Sequence, residues 1–258
     1  MKNLFEPCRL FALLRRRLRP EPPGLAQNYD MGDYGRFMRE ETFLYSARYA
    51  RSRVVLHGQE HLVESARDSG VMVAFLHYGS FFLTGGAIVH QLGLPYTAIA
   101  SRRNLAVMSP EESRFWEGVH RRGQQLYGHP LFFTDQSPRL SLNWLKEPGN
   151  VLGVVLDVRE HDQQYREDPY RFLGHTLFMQ SGPARLAAIA RVPIVPATIR
   201  YCPGERRHHL HFDAPVKSEG DPVAVTQRLL EVLGDRLGEA PAQQFYDIVA
   251  EFVRRKAG

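Results

Sequence analysis

Short apolar runs alternate with amphipathic stretches of about a dozen residues along most of this chain. The runs rich in β-branched and aromatic residues are RVVLHG (53–58), VMVAFL (71–76), PYTAIAS (95–101), NVLGVVLDV (150–158) and PIVPATIRY (193–201). HHLHFD (208–213) adds an alternating pattern. Each is short enough to be a strand, and NVLGVVLDV carries the strongest signal. Helical spacing marks GRFMREETFLYSARYA, EHLVESARDSG up to Gly70, and SFFLTGGAIVHQLG, with Ser80 as N-cap and Gly93 as stop. SPEESRFWEGVHRRG opens on Ser109, Pro110 and Glu112, a capping box. SLNWLKEPGN ends another helix, SGPARLAAIARV opens one on Ser-Gly-Pro, and residues 221–257 read as a helix pair. Strands alternating with helices predict an α/β protein: a mixed, largely parallel central sheet flanked by helices. PEPPG (20–24) cannot be helical. No composition break follows it, so the chain divides into a segment 1–25 and one domain over 26–258.

Charge changes the picture at one end. Residues 1–20 hold Lys2, Arg9, Arg15, Arg16, Arg17 and Arg19 against Glu6, the whole formal net charge of +5. Such concentration argues against a nucleic-acid partner, which calls for a basic surface on the folded domain. Leu10, Phe11, Leu14 and Leu18 form a helical stripe beside the arginines. Two readings stand: a helix lying on an anionic membrane surface, or a first helix packed on the domain. The segment is too short and charged to span a bilayer. Residues 71–101 lack Asp, Glu, Lys and Arg, but Gly79, Gly93 and Pro95 break them into strand, helix and strand. The two cysteines, Cys8 and Cys202, make neither a disulfide framework nor a four-cysteine zinc site, so the expected location is cytoplasmic. His208, His209 and His211 read as a solvated strand edge, and no metal is expected.

Several segments, taken in order, resemble the lysophospholipid acyltransferase superfamily, in its branch of late lipid A (Kdo-lipid) acyltransferases and phosphatidylinositol-mannoside acyltransferases. They are GQEHLVESARDSGVMVAFLHYG (58–79), Arg102-Arg103-Asn104, VLGVVLDV (151–158), RFLGHTLFMQSGPARLAAIARVPIVPATIRY (171–201) and APAQQFYDIVAEF (240–252). The resemblance implies a glycerol-phosphate acyltransferase-like single domain. It also implies transfer of an acyl group from an acyl carrier protein or coenzyme A thioester, with no other cofactor. If the basic segment 1–20 lies on a membrane, the protein would sit peripherally at the inner face of the cytoplasmic membrane.

Acyl transfer to a hydroxyl needs a base that takes the acceptor's proton. The resemblance makes His77 that base, within a His-x4-Asp/Glu motif. Four residues intervene and Phe82 stands where the acid belongs, and no Asp or Glu occurs between Asp68 and Glu111. Three readings remain open. A carboxylate from elsewhere serves His77, with Asp157 the first candidate and Glu160 the second, because ligands gather beyond the carboxyl ends of parallel strands. Alternatively the acceptor is an amine, which attacks without prior deprotonation. In the third reading the protein is a catalytically inactive relative that binds lipid or acyl carrier. Arg102, Arg103, Asn104 and Arg159 are the expected contacts to anionic substrate groups. Ser181 and Gly182 open a helix whose N–H groups suit an anion. Phe81, Phe82, Phe132, Phe133, Phe172 and Phe178 are candidates for an acyl channel.

Overall fold

A computed structural model describes Phe37 and residues 41–136, 138–158, 166–244 and 248–252; of Arg103, Asn104, Val107, Glu112, Ala250 and Glu251 it describes the backbone alone. The basic segment 1–20, Arg159 and Glu160 lie outside the described residues.

The described elements run α1 (Ala47–Arg53), β1 (Val54–His57), α2 (Gln59–Ser65), β2 (Val71–Phe75), α3 (Phe81–Ala87, continuing as a π-helical turn Ile88–Leu92), β3 (Tyr96–Ala100) and α4 (Arg102–Val107). There follow α5 (Pro110–Tyr127), β4 (Phe132–Phe133), α6 (Arg139–Leu145), β5 (Val151–Val155), β6 (Asp168–Phe172), β7 (His175–Met179) and α7 (Gly182–Ala190). β8 (Ile194–Cys202), β9 (Arg207–Phe212), α8 (Pro222–Leu237), a 3-10 turn Pro241–Gln243 and α9 (Ile248–Phe252) complete the order. Seven strands form one sheet in the order β1-β9-β8-β2-β5-β3-β4. Within it β8 and β9 alone pair antiparallel. The fold is therefore α/β with a largely parallel central sheet.

β2 lies between β5 and β8, and all five of its residues are buried. A strand covered on both faces has no polar side to show, hence the unbroken apolar run VMVAF. Alternation sends Met72, Ala74, Leu152 and Val154 to one core, with α7 and α8. Val71, Val73, Phe75 and Val151 face the other core, with α1, α3 and α5 residues such as Ala50, Leu83 and Leu126. Tyr96 reaches across the second core to Tyr127, ring centroids 4.8 Å apart. Gly85 and Gly153 make room for it, since a methyl group on either would overlap the Tyr96 ring.

Three local readings are corrected, and one hairpin is added. Ser80 stands at the N-terminus of α3, but its hydroxyl donates to Glu41 (3.1 Å) instead of accepting a helix N–H. α2 ends at Ser65, short of Gly70, and α5 passes Gly123 to reach Tyr127. The segment 168–179 is an antiparallel hairpin apart from the main sheet, turning at Leu173 and Gly174. Both have positive φ, the geometry of a tight two-residue turn.

Candidate active site

β2 and β5 pair in parallel from Val71↔Val151 to Phe75↔Val155, an offset of 80 residues. Continued two residues past both carboxyl ends, that offset sets His77 beside Asp157. His77 Nδ1 lies 3.1 Å from Asp157 Oδ1. The backbone N–H of His77 also donates to the same carboxylate, at 2.9 Å and 3.1 Å. Asp157 is 1% exposed, whereas the His77 side chain keeps 20% of its surface. One carboxylate therefore fixes the histidine by main chain and ring together. With Nδ1 turned to Asp157, Nε2 is the nitrogen on the other side of the ring. Phe81 packs edge-on against that ring, centroids 4.9 Å apart.

His77 lines a cavity of about 700 Å³, a size typical of small-molecule sites. Its walls come from both faces of the sheet. Phe75, Phe81, Phe82, Trp116, Tyr127 and Phe133 line one side; Ile99, Phe132, Val154, Leu156 and Leu186 line the other. Phe82 thus supplies apolar wall where the motif would have an acid, its ring 5.8 Å from Trp116. Of the six phenylalanines read as channel candidates, Phe81, Phe82, Phe132 and Phe133 line the cavity. Phe172 and Phe178 do not: Phe172 is buried against Gly234 of α8, and both belong to the β6–β7 hairpin.

Ser181 and Gly182 line the cavity at the start of α7. The Ser181 hydroxyl is 3% exposed in its residue and already engaged, accepting from Arg185 Nε (3.0 Å) and donating to Asp168 (3.5 Å). Arg166, paired with Asp168 at 2.9 Å, and Arg185 are cavity-lining cations that the sequence reading did not single out. The available signal for Arg185 was its place four residues after Ser181 on the same helix face. Arg102 is not among the lining residues. Its guanidinium bonds Asp135 (3.3 Å) and lies 4.1 Å above the Phe133 ring. Arg103 and Asn104 share α4 with it.

Behind the loop bearing His77 sits a buried acid. Glu41 accepts from Ser80 (3.1 Å), Tyr45 (3.4 Å) and Tyr49, and its Oε1 lies 3.1 Å from His208 Nε2. Ser80 ties this cluster to the chain three residues beyond His77.

His120 of α5 also lines the cavity, between the rings of Phe82 and Phe133. Burial among them pushes its pKa down from 6.5 to about 4. The unfolded chain then takes up a proton near pH 6.5 that the folded protein refuses until about pH 4. This contribution is present above pH 6.5 and is lost as pH falls towards 4, costing roughly 3 kcal/mol in all. His57 and His211, also lowered mainly by burial, add to the loss. Denaturant titrations at pH 7 and pH 4.5 should show His120→Phe retaining more stability in acid than the wild type. An equal acid loss in both proteins would refute this.

No helix among the described residues is long and apolar enough to cross a membrane. No family model matches the chain, and no curated protein matches it.

Proposed function

We propose that the protein is an acyltransferase. It moves an acyl group from an acyl carrier protein or coenzyme A thioester to a hydroxyl or amine, on a glycerol-phosphate acyltransferase-like domain. The observation that carries this reading is the His77–Asp157 pair at an aromatic cavity of about 700 Å³. A cavity so lined suits an acyl chain, and a histidine held by a buried carboxylate suits proton transfer. His77 Nε2 takes the proton of the acceptor as its oxygen or nitrogen attacks the thioester carbonyl carbon. The tetrahedral adduct then collapses, the carbon–sulfur bond breaks, and the thiolate leaves with the proton from the imidazolium. Asp157 holds Nδ1–H and stabilises the positive ring. Arg185, Arg166 and the N-terminus of α7 give the anionic part of a substrate a favourable end of the cavity. The basic segment 1–20 would keep the enzyme at an anionic membrane surface.

The test is to incubate the full chain with acyl thioesters and lysolipid or amine acceptors, and to follow free thiol together with acylated product. Both should appear with wild type and fail with His77→Ala. Product formation that persists in His77→Ala overturns the mechanism. Saturable acyl-thioester binding without thiol release, in wild type, would replace catalysis by a binding role.

A further inference from the structure

The β8–β9 hairpin, none of whose residues lines the cavity, gathers three side chains of metal-binding type. Cys202 ends β8, Glu205 sits in the turn, and His209 lies on β9. One ligand atom from each falls within 4.8 Å of the others. Cys202 Sγ is 3.7 Å from Glu205 Oε1, and His209 Nε2 is 3.0 Å from Glu205 Oε2. Ligand atoms on a tetrahedral zinc ion stand roughly 3.3–3.6 Å apart, given metal–ligand lengths of about 2.0–2.3 Å. The contacts of the two Glu205 oxygens, 3.7 Å to Cys202 and 3.0 Å to His209, lie near that span, and small side-chain rotations would bring one oxygen, the sulfur and the nitrogen onto a single ion.

Sequence spacing hides this set. Three histidines at 208, 209 and 211 look like the cluster, but strand alternation buries His208 against Glu41 and turns His209 to the opposite face. What joins His209 is the hairpin. The Cys202↔Arg207 and Arg200↔His209 pairings bring residue 202 diagonally beside residue 209 on one face. The turn, with Arg206 at φ 56° and its N–H on Pro203 O, brings Glu205 over both.

A neighbouring histidine offers a partner for the nitrogen of His209 that faces away from Glu205. His57 on β1 places Nε2 3.0 Å from His209 Nδ1. When His209 donates Nδ1–H to His57, its Nε2 lone pair faces the Glu205 carboxylate and the Cys202 sulfur. A cation between them would satisfy both acceptors in that tautomer. His57 is itself held by stacking on His211, centroids 4.3 Å apart and planes 10° from parallel. Metal-bound histidines commonly donate their second N–H in this way.

We propose that Cys202, Glu205 and His209 form a binding site for a borderline-soft divalent cation of the zinc type. His57 orients His209, and water takes the fourth position. Thiolate and carboxylate neutralise the ion's charge, and the mixed sulfur, nitrogen and oxygen set selects against magnesium and calcium.

The probe is Co²⁺, added without oxygen to the reduced full chain, with Zn²⁺ as competitor. Wild type should develop a near-ultraviolet thiolate-to-cobalt charge-transfer band and visible bands of four-coordinate intensity, all removed by Zn²⁺. Cys8→Ser should keep the band. Cys202→Ser should lose it, and His209→Gln should weaken binding severely while circular dichroism shows both variants folded. His57→Phe should weaken Co²⁺ about 10- to 100-fold. A wild-type protein without the band, or a band that survives Cys202→Ser, overturns the site.

Discussion

Asp157→Asn is expected to lower kcat for acyl transfer about 10⁴-fold, the cost of the same replacement in the serine-protease triad. The substitution nearly preserves shape. Oδ1 of an asparagine can still accept from the His77 main chain and ring, contacts that stand at 2.9 Å and 3.1 Å with the aspartate. What disappears is the negative charge that steadies the imidazolium while the thioester is attacked. Because the cavity wall does not include Asp157, KM should stay nearly constant and the loss should fall on kcat. The double variant His77→Ala, Asp157→Asn should be no slower than His77→Ala alone, because the pair acts as one unit. Steady-state kinetics with one acyl thioester decide it. A loss smaller than about tenfold would remove Asp157 from the proposed mechanism.

The largest stability effect should come from Glu41→Ala. Glu41 and His208 are almost wholly buried and face each other at 3.1 Å. Ser80, Tyr45 and Tyr49 also donate to the Glu41 carboxylate. Removing the acid strips four polar groups of one acceptor and leaves a cavity. Breaking a buried pair from one side costs about 3–5 kcal/mol. Urea unfolding should show a midpoint lowered to match, with the slope unchanged. Glu41→Gln, which keeps one acceptor and the volume, should recover part of the loss. A change below about 1 kcal/mol would mean that solvent reaches the cluster. Since Ser80 follows His77 by three residues, Glu41→Gln should also reduce turnover under conditions where it remains folded.

The apolar runs at 54–57, 71–75, 96–100, 151–155, 194–202 and 207–212 were legible as strands because alternation and β-branching are local properties. The same locality explains what was missed. β4 is two residues long, too short for any period to show, and the β6–β7 hairpin depends on a Leu-Gly turn outside the usual turn pairs. Ser80 looked like a helix cap because only its immediate neighbours were visible. Its partner Glu41 lies 39 residues away.

The sequence by itself determined the alternating α/β plan and the apolar centre of the sheet, while its family resemblance pointed to His77. It also determined that no acid stood within reach along the chain, leaving Asp157 and Glu160 as distant candidates. Tertiary structure alone decided the neighbour. Parallel pairing of β2 with β5 at an offset of 80 residues sets Asp157 against His77, and pairing of β8 with β9 sets Cys202 beside His209. The physical reason is that residue pattern encodes which face of an element is buried, whereas strand order and register arise only when whole elements pack together.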